Sequence, residues 1–353
     1  MENGQIESSF LSIFTLFTFF IFLFLSKYSY KFKNGILIDQ DFQKPQAFHQ
    51  TPTSRSGGLA GVISLNIFFL IYYLIYSKVL LEYLFVCNLM FSIGFLDDLR
   101  KKISPSKRLA LMIVFLLISI HFIPIKISNI DIPFLSIFMN NSLFSAIFIL
   151  LCFLFIVNGA NLIDGFNGLL ALNLIIINSI LAYINIYSGN IEFSVFIIGQ
   201  IVILLSFLLF NFPNSKIFFG DSGSYLMGSL VALNTIFTNN LNPNYSSFFF
   251  CILLFYLFFE VFFSFIRKIF QRKSPIHPDK SHLHMLTFSR IEPVLGRNKG
   301  NYVNSIIINI FYLICIIPAL YFAKDPVVSR YWFFSLILIY LLIYYRLYRL
   351  TKN

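Results

Sequence analysis

The sequence predicts an all-α fold, a polytopic bundle of about eleven membrane-spanning helices. Three observations predict it. Of the 353 residues, 58% are hydrophobic and only 12% charged, where soluble chains carry roughly 25% charged residues. The apolar residues, 47 phenylalanines among them, lie in runs that approach the roughly 20 residues a helix needs to cross the hydrocarbon layer. The runs lack the period-two alternation of a membrane β-barrel.

The spans are read in order as Phe10–Leu25, Leu59–Tyr76, Val79–Leu96, Leu109–Ile123, Leu143–Val157, Leu169–Tyr187, Phe193–Phe210, Tyr225–Phe237, Phe248–Ile266, Ile306–Phe322 and Tyr331–Tyr345. The first run has no small-x-small cleavage site, and its basic flank (Lys27, Lys31, Lys33) follows it. It is therefore expected to remain as a helix rather than be removed as a signal peptide. The eighth is short and is expected to start earlier, near Ser222. Pro318 is expected to kink the tenth. Nothing reads as a linker or a repeat, so the chain is one domain, residues 1–353.

Charge sets the orientation. All but four (Lys78, Lys126, Lys324 and Arg330) of the 26 Lys and Arg fall in the loops after spans one, three, seven and nine or in the C-terminal tail. Cytoplasmic loops carry that excess. The N-terminus, with Glu2 and Glu7, is then outside, and the C-terminus is cytoplasmic. The net charge of +11 reflects this topology and not a nucleic-acid partner. Cys87, Cys152, Cys251 and Cys315 all sit in apolar runs without a CxxC pair, which suits packing and not a disulfide frame or zinc.

The unusual polar residues fall in the cytoplasmic loops. After span one comes His49–Gly58, where Thr53 and Arg55 suit a phosphate and Gly57-Gly58 permit close backbone approach. Span three ends in Gly94-Phe95-Leu96-Asp97-Asp98. Two adjacent carboxylates at a helix C-terminus are electrostatically disfavoured, so a cation must compensate. Arg100, Lys101 and Lys102 are near in sequence, and a hard ion such as Mg²⁺ suits carboxylates and phosphates. Between spans five and six, Asn158, Asn161, Asp164 and Asn167 recur every third residue, which places them on one face of a helical turn. Amides with one carboxylate suit a base edge, a ribose or an N-acetyl group. Before span eight, Lys216–Ser224 offers Lys216 for phosphate, Phe218 and Phe219 for base stacking, and Asp221 as a metal ligand. Asp221 or Ser222 is placed to cap the helix. The last large loop contains Pro278–His284, in which His282 and His284 can bind phosphate or donate protons.

These five blocks, in order and on one face, resemble the motifs of the polyprenyl-phosphate N-acetylhexosamine-1-phosphate transferases, the membrane glycosyltransferase family 4. The resemblance covers residues 49 to 284. It implies transfer of a sugar phosphate from a UDP-N-acetylhexosamine to a polyprenyl phosphate with release of UMP, at the cytoplasmic face of a bacterial inner membrane. The product would initiate a lipid-linked cell-surface glycan, such as O-antigen or another wall polymer. It also implies a need for Mg²⁺ or Mn²⁺, and leaves room for a homodimer. By resemblance Asp97 and Asp98 lie at the reaction centre, Asp221 with Asp97 binds metal, Asn161 and Asp164 lie around the nucleotide, and His282 and His284 touch phosphate or sugar. Where the family often has DGxDG, this chain has Asp164-Gly165-Phe166-Asn167-Gly168, so Asn167 lacks the second charge. The last loop resembles the N-acetylglucosaminyl branch more than the muramoyl-pentapeptide branch.

Two other readings stand beside this one: the muramoyl-pentapeptide transferase itself, and a transporter suggested by the many spans and by Asn66, Asn88 and Gln200. P-loop and GxGxxG motifs are absent. Glu260, inside span nine, has no role in the resemblance and is expected to snorkel, to pair with Arg267 or to border a lipid groove.

Overall fold

A computed structural model describes residues 2–31, 35–40, 52–99, 103–123, 125–275 and 279–352; Lys33, His49, Gln50, Thr51, Arg100, Lys101, Lys102 and Pro278 lie outside the described residues. Helix α1 (Glu2–Tyr28) and a 3-10 turn are followed by two short strands paired antiparallel, β1 (Ile38–Asp39) and β2 (Thr53–Ser54). Then follow α2 (Gly57–Tyr76), α3 (Leu81–Asp98), α4 (Pro105–Phe122), α5 (Pro133–Met139), α6 (Ser142–Ile163), α7 (Leu169–Tyr187) and α8 (Ile191–Asn211). The chain continues with α9 (Gly220–Leu241), α10 (Ser247–Leu253), α11 (Phe255–Phe270), α12 (Leu283–Tyr321) and α13 (Pro326–Lys352). Every expected span falls on this helical framework. Among the described residues, eight helices are long and apolar enough to cross a membrane, nine if α10 and α11 count as one. Helices α3 and α9 hold two further expected spans, and their small, polar and acidic residues keep them below that apolarity. Helix α9, which holds the eighth expected span, does start early, at Gly220.

Large apolar side chains such as Leu16, Phe17, Phe20 and Leu209 face outward, where lipid is their solvent. Amides are buried between helices instead. Asn234 on α9 donates to Asn178 on α7 (2.9 Å) and to Gln200 on α8 (2.7 Å), and Gln200 donates back (3.2 Å). Asn66 and Asn88 exchange hydrogen bonds between α2 and α3 at 3.0 and 3.2 Å. Such pairs hold membrane helices in register. The polar groups that suggested a transporter are thus satisfied by one another.

One expectation is corrected. The ninth span is not continuous: α10 and α11 meet at a 76° bend. Helix α11 is strongly two-faced, with Glu260, Ser264, Arg267 and Lys268 inward and Phe262, Phe265, Ile269 and Phe270 exposed. Helix α12 is interrupted at Gly296, which adopts φ +73°, ahead of the expected tenth span; Pro318 lies inside the helix beyond it.

Candidate active site

The site forms where the C-terminus of α3 meets the N-terminus of α9. The first N–H groups of a helix have no partner within it. In α9 two of them are satisfied by another helix: Asp98 accepts from the Asp221 N–H (3.1 Å) and the Ser222 N–H (2.9 Å). Neither Asp221 nor Ser222 caps its own helix. Close approach makes this cap possible. A Cβ on Gly94 would collide with the Asp221 backbone, and one on Gly220, where φ is +71°, would lie 2.6 Å from an Asp98 oxygen. Gly94→Val should therefore cost about 1–3 kcal/mol by overpacking. Thermal unfolding in detergent reads this, and an unchanged midpoint would contradict the close α3–α9 contact.

Loop one packs beside this junction. Ser54 and Ile217 form a bridge, and the N–H groups of Gly57 and Gly58 donate to the carbonyls of Phe218 and Phe219. Arg55 grips Asp39 through Nε (3.1 Å) and Nη2 (2.5 Å) and turns Nη1 to Asp98 at 3.5 Å. Thr53 is buried in β2.

Asp97 points the other way, into a half-exposed cluster. Arg108 Nη1 donates to Asp97 Oδ2 (3.1 Å) and also bonds Asp221 Oδ2. Asn161 Nδ2 donates to Asp221 Oδ1 (2.8 Å) and to the Ser224 hydroxyl (2.9 Å). Asp164 caps the C-terminal end of α6 and feels the charges of Asp221, Asp98 and Arg55.

Crowding shifts these acids. Burial, then Asp221, pushes Asp97 up to about 6. Burial, then the Asp221 charge, pushes Asp98 up to about 7 against the pull of Arg55. Burial, then Asp221, holds Asp164 well above the usual carboxylate range. Burial also opposes ionisation of Asp221, but Arg108 and the hydrogen bonds around it keep that group below the usual range.

Other expected residues serve the fold. Phe219 is fully buried and stacks on Phe207 at 3.5 Å between ring centroids, so it has no free face for a base. Asn167 is buried, its amide donating to the Pro213 carbonyl (2.7 Å) and its N–H to Asn301 (2.8 Å). Asn158 donates to the Leu154 carbonyl one turn back (2.7 Å). Lys216 is exposed. His282 is 1% exposed, with Nδ1 3.1 Å from Glu260 and Nε2 3.2 Å from Asp279. Both nitrogens are occupied, which leaves neither for substrate. His284 is buried, bonded to the Tyr256 hydroxyl (3.1 Å) through Nδ1 and set edge-on to Phe166; its Nε2 has no hydrogen-bond partner. Arg267 pairs with Asp279 (2.9 Å) and not with Glu260.

Two participants were not expected from sequence. Arg108 lies in the first turn of α4 behind a Ser104 cap and Pro105, a pattern that signals only a helix start. Asp39 ends β1, in a stretch of sequence without a motif. Among the described residues, no three His, Cys, Asp or Glu side chains form a ready metal cage. The donor set nonetheless suits a hard cation. Asp39, Asp97, Asp98, Asp164 and Asp221 share the site with two guanidiniums, Arg55 and Arg108, so full ionisation leaves three negative charges over. Asp97 and Asp221 already converge on one cationic nitrogen.

Residues 80–239, which include Asp97, Asp98, Arg108, Asn161, Asp164 and Asp221, match the model of glycosyl transferase family 4. The chain is 31% identical over 147 residues to the undecaprenyl-phosphate alpha-N-acetylglucosaminyl 1-phosphate transferase of Thermotoga maritima, covering 41% of this chain and 43% of that protein. It is 33% identical over 149 residues to the phospho-N-acetylmuramoyl-pentapeptide-transferase of Clostridium perfringens (strain 13 / Type A), covering 40% and 47%. The protein of that name from Streptococcus thermophilus (strain CNRZ 1066) is 30% identical over 230 residues, covering 60% and 66%. The match thus spans under half the length of the first two relatives.

Proposed function

We propose that this chain, which belongs to glycosyl transferase family 4 by the match of residues 80–239, transfers an N-acetylhexosamine 1-phosphate from a UDP-sugar to a polyprenyl phosphate. UMP leaves, and the product is a polyprenyl diphosphate-linked sugar. N-acetylglucosamine is the sugar favoured by the last loop and by the name of the Thermotoga relative. The observation that carries the reading is the convergence of Asp97, Asp98, Asp221 and Asn161 with Arg55 and Arg108 at one end of the bundle. We place that end, with the C-terminus, at the cytoplasmic side of a bacterial inner membrane, where a soluble nucleotide-sugar and a lipid phosphate can meet.

The chemistry follows from charge. An oxygen of the acceptor phosphate attacks the sugar-bound phosphorus of the donor, and the bond to UMP breaks. A phosphate monoester has a second pKa of about 6, so the attacking oxygen is largely ionised at neutral pH and needs no strong base. The obstacle is repulsion between two anions, which fixed cationic groups in a partly desolvated site reduce. Arg55 and Arg108 provide such groups. Asp98 holds α9 in place and keeps Arg55 turned inward. Asp97 and Asp221 would hold Mg²⁺, whose contribution is further shielding of the phosphate charges. Asn161 steadies Asp221, and Asp164, near the same charges, would serve a hydroxyl or base edge of the donor.

The test is direct. Purified protein, polyprenyl phosphate and Mg²⁺ are incubated with a panel of UDP-sugars, and UMP and lipid-linked sugar are measured. UDP-N-acetylglucosamine should give both. A folded protein that releases no UMP with any sugar would refute the reading. Preference for UDP-N-acetylmuramoyl-pentapeptide in competition would instead support the activity named for the Clostridium and Streptococcus relatives.

A further inference from the structure

Arg108 is held in an unusual way. One nitrogen, Nη1, serves both Asp97 on α3 and Asp221 on α9, while Nε is buried with no hydrogen-bond partner. A guanidinium fixed for purely structural reasons uses its fork, pairing two nitrogens with one carboxylate, as Arg55 does with Asp39. Arg108 instead stands as a point charge between facing oxygens of two carboxylates, with a second donor left over. Those oxygens are what a hard divalent cation takes. The guanidinium and such a cation oppose each other there, since both are positive and seek the same two oxygens. Arg108 belongs to the first turn of α4, and its side chain is 20% exposed, so it can leave by side-chain rotation without moving the helix.

We infer that Arg108 and the divalent cation exchange places: the cation displaces the guanidinium from Asp97 and Asp221, and the freed guanidinium turns its donors to a substrate phosphate. Arg108 is then a built-in stand-in for the metal, which keeps two carboxylates from repelling each other until the cation and phosphate arrive. This rests on the metal-dependent transfer proposed above and adds to it a residue that couples metal loading to phosphate binding. The phosphate is that of the donor or of the acceptor, and the chemistry of recognition is the same for both.

The prediction runs against intuition, because removing this site residue should improve metal binding. Mn²⁺ is titrated into the purified full chain in detergent without substrate, and free Mn²⁺ is read by electron paramagnetic resonance. Arg108→Met should bind Mn²⁺ about ten-fold or more tightly than the unaltered protein, because the competing charge is gone. Arg108→Lys keeps the charge and should stay near the unaltered value. UMP release by Arg108→Met should fall even at saturating metal, and its KM for the donor or for the acceptor should rise, identifying which phosphate Arg108 meets. If the methionine variant does not fold, Arg108→Gln carries the same expectation. Unchanged or weaker Mn²⁺ affinity in the folded neutral variants, or no Mn²⁺ binding by any of the proteins, overturns the exchange. Failure of the function is distinguishable: the unaltered protein would then bind Mn²⁺ and yet release no UMP from any UDP-sugar.

Discussion

Asp221→Asn should lower turnover by about 10²–10³-fold, the scale on which one preorganised electrostatic group acts in a desolvated site, with the thermal midpoint close to that of the unaltered protein. The expectation follows from how Asp221 is held. Its Oδ2 takes Arg108 and its Oδ1 takes the Asn161 amide; an amide there loses the charge, and although its nitrogen faces one of these donors, both are side chains that can turn away, whereas the donors to Asp98 are fixed backbone N–H groups. Asp97→Asn, on the other side of Arg108, should act in the same direction. Asp98→Asn should behave differently. Both Asp98 oxygens accept N–H groups of α9, so an amide nitrogen there would face a donor, and stability would fall along with activity. UMP release and thermal unfolding, measured on all three variants, separate the roles. Turnover of Asp221→Asn within a few-fold of normal would remove Asp221 from the reaction centre.

The helical framework was legible because lipid demands it: long apolar runs and the placing of Lys and Arg both follow from the bilayer. The blocks at 94–98 and 216–224 were legible as chemistry because acids and glycines are out of place beside such runs. Their division of labour was not. Adjacent Asp97 and Asp98 look alike in sequence, and only the meeting of α3 with α9 makes one a helix cap and the other a cleft residue. Phe219 looked free to stack because nothing local shows that Phe207 covers it. Arg108 carried no motif, and its role exists only where two distant carboxylates meet. The break before α11 was hidden for the same reason. Phe248–Ile266 reads as one apolar run, and what α11 gains by turning is contact between Glu260 and residues far along the chain.

That contact leads to the largest expected effect on stability. Glu260 is 1% exposed and accepts from three places: His282 Nδ1 (3.1 Å), the Leu283 N–H at the start of α12 (3.1 Å) and the Tyr340 hydroxyl on α13 (2.7 Å). A carboxylate inside a membrane helix is thus neither snorkelling nor paired with Arg267; it joins α11, α12 and α13. Glu260→Ala leaves the imidazolium, the N–H and the hydroxyl without that acceptor and should cost about 3–5 kcal/mol, as breaking a buried pair does. Glu260→Gln keeps an acceptor oxygen and should cost less. The pH profile gives an independent check. Asp279 and Glu260 raise the His282 pKa even though burial lowers it. A raised pKa means stabilisation that is complete below the ordinary imidazole value and lost as pH climbs through the folded value. Burial opposes the charge of Asp279 too, but His282 and Arg267 draw its pKa below the usual range, so its share fades only in strong acid. The unaltered protein should therefore lose stability on the alkaline side of the ordinary imidazole range, and Glu260→Gln should flatten that limb. Unfolding midpoints of both proteins across that range read the effect, and parallel profiles would mean that His282 is not held as a cation by Glu260.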